Sequence, residues 1–96
     1  MTILESEIQR ISAAVEQATG FGLEDIRARG RILPVVRARI ILCHEIHKRG
    51  ASAREIGQAI HRDRVSIGYL INRYQDEYDT SPIFREMAIK VKDILQ

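Results

Sequence analysis

Residues 52–74 read Ser-Ala-Arg-Glu-Ile-Gly-Gln-Ala-Ile-His-Arg-Asp-Arg-Val-Ser-Ile-Gly-Tyr-Leu-Ile-Asn-Arg-Tyr, two amphipathic runs joined by a short polar stretch. Ser52 with Glu55 three residues on is a capping box that opens the first run. Ile56 and Ile60 recur at helical spacing in that run, and Ile67, Leu70, Ile71 and Tyr74 do so in the second. Gly57 stands where the two helices would cross, and a residue without a side chain lets their backbones approach. The turn falls at His61, where such hairpins most often carry glycine, so a strained or altered turn is expected there. The pattern predicts a helix-turn-helix over about residues 53–78, its second helix starting near Arg64 and ending near Asp79.

A helix-turn-helix lays its second helix in the DNA major groove. With the apolar stripe facing inward, Val65, Ser66, Tyr69, Asn72 and Arg73 are left facing outward. Arg62 and Arg64 precede or open that helix, where guanidinium groups suit guanine edges or phosphates, and Val65 suits a thymine methyl. Asp63 is expected to cap the helix and to accept a hydrogen bond from a cytosine amine. Helical hairpins with the same spacing also occur without nucleic acid. A protein-interaction adaptor on this scaffold is therefore a second reading, and a dimeric, ligand-responsive transcription regulator of the Trp-repressor kind is a third.

Charge is distributed unevenly around the motif. Residues 27–64 hold ten Lys or Arg against three acids, a local balance of +7, while the remainder holds five bases and ten acids, a balance of −5; together these make the net +2. A phosphate backbone responds to such a local field whatever the charge of the whole chain. Arg27, Arg29 and Arg31, around Gly30, form a basic stretch expected to be loop-like and exposed.

The rest of the chain reads as helices. Thr2 with Glu5 forms a capping box, and Leu4, Ile8, Ile11, Val15 and Ala18 follow at helical spacing until Gly20. Residues 21–28 pass from a loop into a short helix anchored by Phe21, Leu23 and Ile26. Pro34 suits the first turn of a helix continuing to Arg49 and closed by Gly50, apolar over more than half its circumference and so central. Ser81-Pro82 opens a last helix with Phe84, Met87, Val91, Ile94 and Leu95 on one face. The 96 residues suit one domain with one core.

Few residues point to catalysis. His44 and His47 lie three apart around Glu45, where the zinc-protease pattern needs histidines four apart, and Cys43 points about 100° away from His44. Cys43 is expected in the core, with both histidines at the edge of the basic surface. The adjacent acids Glu24-Asp25 and Asp76-Glu77 point apart on a helix and read as helix-end charges. Gly20-Phe21-Gly22 is too short for a phosphate loop and follows a helix. No enzyme activity, cofactor or metal is expected. A single cysteine excludes an internal disulfide and fits a reducing compartment, no apolar run is long enough to span a bilayer, and the first residues lack the pattern of a secretory leader. A cytoplasmic protein that does not engage a membrane is expected.

Three pieces of the chain resemble the C-terminal DNA-binding domain, domain IV, of the bacterial chromosomal replication initiator DnaA. In that family a basic loop runs into a Val-Ala-Arg-Pro-Arg segment that opens a long helix; here residues 31–39 read Arg-Ile-Leu-Pro-Val-Val-Arg-Ala-Arg. Ser52-Ala-Arg-Glu-Ile-Gly57 is similar to the family's Ser-Leu-x-Glu-Ile-Gly. Arg62-Asp63-Arg64-Val65-Ser66-Ile67 lies where the family carries Arg-Asp-His-Thr-Thr-Val. The chain departs from the family at Arg64 in place of His, at Val65 in place of Thr, and at His61 in place of a Gly-Gly pair.

The resemblance implies an all-α, Trp-repressor-like domain of about five to six helices that reads double-stranded DNA, as in origin binding during replication initiation. It implies that Arg31 reaches a minor groove, that Asp63 and Arg64 read bases, that Arg62 and Ser66 lie at the phosphate or groove surface, and that Arg37 and Arg39 support the DNA backbone. With Arg54, Val65, Tyr69 and Arg73 these make up the expected DNA-binding set. A homodimer or a larger initiator assembly is left open.

Overall fold

Residues 5–96 are described by a computed structural model in which six helices follow one another: α1 (Glu5–Thr19), α2 (Leu23–Arg27), α3 (Leu33–His47), α4 (Ala53–Ile60), α5 (Arg64–Thr80) and α6 (Pro82–Leu95). All regular structure among the described residues is helical, so the expected all-α fold of five to six helices is what the chain forms. The apolar Leu4 and the Thr2 half of the Thr2–Glu5 capping box lie outside the described residues.

Helix starts follow their caps. Ser52, Asp63 and Ser81 each accept a hydrogen bond from the backbone N–H three residues on, satisfying a donor that the first turn leaves without a partner. Gly20 and Gly50 end α1 and the turn after α3 with positive φ. The helix proper of α3 stops at His47, two residues before the expected Arg49, and residues 48–50 form a turn.

The wide apolar surface of α3 places it at the centre. Ala38, Ile40, Ile41, Leu42, Cys43 and Ile46 are all fully buried, and α3 packs against α1, α2, α4 and α5. α6 closes the other side of α1 and α5 through Phe84, Ala88 and Val91. Tyr74 of α5 joins three helices: its ring stacks on His44 of α3 and meets Phe84 of α6 edge-on.

His44 thus departs from its expected place at the edge of the basic surface. Its ring lies 3.5 Å from that of Tyr74 and within 3° of parallel, and burial pushes its pKa down to about 4. Nδ1 of His47 instead lies 3.0 Å from the Ala51 carbonyl oxygen. Cys43 is buried, which pushes its thiol up to about 12 and leaves it a small apolar core residue. Glu45 is buried too, paired at one oxygen with Lys48 (3.1 Å) and Arg49 (2.9 Å), and Arg49 also reaches Glu7 of α1 (3.5 Å). No helix among the described residues is long and apolar enough to cross a membrane.

Candidate nucleic-acid interface

α4 opens with both halves of its capping box in place: Glu55 N–H donates to Ser52 Oγ (3.1 Å) and Ser52 N–H to Glu55 Oε1 (3.0 Å). At the far end His61 takes the left-handed conformation (φ 61°, ψ 48°), and Arg62 N–H donates back to the Gly57 carbonyl at 2.9 Å. A side-chain-bearing residue there costs about 1 kcal/mol or more. The reversal drives the Arg62 carbonyl onto Gly57, where a Cβ would stand only 2.3 Å from that oxygen. Glycine is therefore required at position 57 by the backbone of the turn, and not, as expected, by the crossing of two helices.

Asp63 follows in extended conformation and caps α5, its Oδ1 accepting from Ser66 N–H at 2.7 Å. That hydrogen bond is the main cause holding the carboxyl below its usual pKa, so it is charged at neutral pH. Ile67, Leu70 and Tyr74 turn inward. Val65 and Tyr69, four apart, project outward with 76% and 63% of their surfaces exposed, and Arg64 and Asn72 are exposed beside them. Arg73 is engaged along the helix, paired with Glu77 and lying 5.7 Å from the Tyr69 ring centre.

The basic stretch is held beside this helix by an exchange of arginines. Arg27 of α2 donates through Nε to Ala59 O at the end of α4 (2.9 Å). In return, Arg62 donates from Nη1 to Arg27 O (3.1 Å) and from Nη2 to Ala28 O (2.6 Å) at the end of α2. Arg27 thus satisfies a carbonyl at the negative end of α4, and Arg62, in the turn after α4, satisfies two at the negative end of α2. Arg39, in the middle of α3, adds Nε–H to Ile26 O (3.0 Å) and Nη2–H to Ala28 O (3.1 Å) and Gly30 O (3.3 Å). Burial, and next the nearby Arg62 charge, lower its pKa from the ordinary guanidinium value.

Two of the expected contact residues thereby carry a structural role as well. Arg39 is only 5% exposed and donates through Nε and Nη2 to carbonyls, so it fixes the loop from within while bordering the cleft beside it. Arg62 is half-buried, with its guanidinium turned onto the α2 and α4 carbonyls while it still lines the clefts on either side of the turn. Arg27 likewise belongs to α2 and is half-buried, whereas Arg29 and Arg31 are exposed as expected.

The clamped loop and the start of α5 form the walls of a cleft of about 610 Å³, lined by Arg27, Arg29, Arg31 and Arg39 from the loop and its flanking helices α2 and α3, and by His61, Arg62, Asp63 and Ser66 from the turn and α5. A second cleft of about 630 Å³ continues past His61 and Asp63 to Arg54 and Arg64. Arg31, Arg54, Asp63, Arg64 and Ser66 are thereby brought onto one continuous, mostly basic surface, next to the exposed Val65 and Tyr69. Arg37, half-buried on α3, lines neither cleft. Sequence reasoning missed the exchange between Arg27 and Arg62. It also missed the internal role of Arg39, although a lone cation in the apolar run Ala38-Arg39-Ile40-Ile41-Leu42-Cys43 was the signal for it. No protein-family model matches this chain and no curated protein matches it, so the surface is read from its own geometry.

Proposed function

We propose that this chain binds double-stranded DNA sequence-specifically through α5 in the major groove and through the Arg29–Arg31 loop in the groove alongside. The observation that carries the reading is the pairing of the two parts: an outward helix face of short and planar side chains, and a basic loop clamped next to the start of that same helix. Val65 suits a thymine methyl, Arg64 a guanine edge, and Asp63, charged and exposed, a cytosine amine in addition to its cap. Arg29, Arg31 and Arg54 supply phosphate and groove contacts.

The same parts in the same order support kinship with domain IV of the initiator DnaA on a Trp-repressor-like scaffold, and with it a role in reading a replication origin. Arg64, Val65 and His61 differ from that family, so the preferred box is expected to differ in the bases these residues meet. The proposal is one of binding without catalysis.

The test is selection from a pool of random duplexes at low and moderate salt, followed by sequencing of what the protein retains. Enrichment of a box like the initiator's supports origin reading, and a different motif supports a divergent regulator. If no duplex is retained at either salt, the DNA reading fails and a protein-interaction adaptor takes its place.

A further inference from the structure

Directly after the basic stretch stand Ile32 and Leu33, with 63% and 51% of their surfaces exposed, followed by an exposed Pro34. Scattered single aliphatics on a surface need no explanation, but adjacent ones where a basic loop runs into a helix do. Ile83 and Ile89, the exposed isoleucines of α6, are not adjacent in this way.

Local structure does not account for them either. Ile32 occupies the N-cap of α3 and makes no side-chain cap, whereas α4, α5 and α6 begin with Ser, Asp and Ser that do. Isoleucine is among the poorest N-cap residues. An aliphatic therefore stands where a polar residue would make the helix more stable, the kind of local violation that marks a functional position. This junction is also firmly mounted, because Arg39 and Arg62 hold the carbonyls of residues 26–28 and 30 just before it.

We propose that Ile32 and Leu33 form an apolar wedge that enters the DNA minor groove beside the recognition-helix site and partly unstacks one base step. This rests on the DNA-binding reading above. With α5 in the major groove, a loop alongside its first turn reaches across one phosphate strand into the neighbouring minor groove, as basic arms do in other helix-turn-helix proteins. That groove is too narrow for a whole helix and wide enough for the side chains that project from a loop–helix junction. Arg29 and Arg31 match the phosphates that line it, and only the apolar faces of the bases offer two exposed aliphatics a dry surface within it. The step opened is expected to be a pyrimidine–purine step, the easiest to unstack, in the flank of the site.

The experiment takes a duplex selected by the protein from the random pool and places 2-aminopurine at each position of its flank in turn. Binding is expected to raise fluorescence several-fold at one step only. Ile32→Ser with Leu33→Ser is expected to abolish that rise and to weaken binding about tenfold or more, while Ile32→Met with Leu33→Met preserves the rise. Both pairs change exposed side chains, and unchanged helical circular dichroism checks that they fold. A duplex bound tightly with no fluorescence change at any step, or a rise that persists in the serine pair, overturns the wedge and leaves the DNA reading standing. A serine pair that instead loses self-association seen in solution mass, with no fluorescence change in the parent protein, assigns Ile32 and Leu33 to contact with a second copy and overturns the wedge as well. Failure to retain any duplex overturns both.

Discussion

At Gly57 and His61 the backbone itself decides what side chain is tolerated. A methyl group at position 57 would meet the Arg62 carbonyl, a backbone atom that cannot move without opening the turn. Gly57→Ala is therefore expected to destabilise the fold by about 2–4 kcal/mol, measured by denaturant unfolding. A loss below about 0.5 kcal/mol would show that the turn is not as tight as described. His44 provides a residue-scale test in pH. Its pKa is about 4 in the fold against 6.5 when unperturbed, chiefly through burial against Tyr74. Above pH 6.5 the imidazole is neutral in both folded and unfolded chains, and its contribution is fully present. As pH falls from 6.5 to about 4, the unfolded chain takes up a proton that the folded chain excludes, and stability drops by up to about 3 kcal/mol. Below about 4 no further loss comes from this group. Comparing unfolding midpoints of the parent and His44→Phe between pH 7 and 4.5 checks this, since the variant is expected to lose less over that interval; equal losses would rule the assignment out.

Among the elements, the exchange of guanidinium groups between α2, α3 and the turn after α4 matters most. The short α2 has only one fully buried side chain, Ile26, and its position depends on carbonyls satisfied by Arg39 and Arg62. Arg39→Ala removes three donors from a buried setting and is expected to cost about 2–4 kcal/mol of stability, with weaker DNA binding as the basic loop loosens. Arg64→Ala is expected to do the opposite: unfolding stays within about 0.5 kcal/mol of the parent, while affinity for the selected site falls by about 1–3 kcal/mol and preference relaxes at one base. Measuring both quantities on both variants separates the arginine that builds the surface from the one proposed to read bases. Equal effects on stability would collapse the distinction.

For the molecule as a whole, the count of available cations sets the salt response. Arg39 and Arg62 are committed to main-chain carbonyls and Arg73 to Glu77, while Arg29, Arg31, Arg54 and Arg64 are exposed on the loop and helix-turn-helix. With about four phosphates neutralised, the logarithm of affinity is expected to fall with the logarithm of salt with a slope of roughly −3 to −4. A flat response in a duplex titration would count against the DNA reading however tight the binding.

Local signals determined a large part of this architecture. Capping residues at Ser52, Asp63 and Ser81, helix-ending glycines at 20 and 50, and apolar spacing along each run located the helices, because each depends on contacts within a turn or two of the chain. The outward face of α5 was legible for the same reason, since helical periodicity alone separates Val65 and Tyr69 from Ile67, Leu70 and Tyr74. The sequence also showed that the turn at His61 would be unusual, as it is. Only the tertiary structure decided which arginines face outward. Arg27 and Arg62 meet partners more than thirty residues away, and Arg39 finds acceptors on a loop whose path is set by the packing of α2 on α3. An arginine's chemistry is the same in either role; what differs is whether unsatisfied carbonyls or water stand at the end of its side chain, and that is a property of how the helices pack.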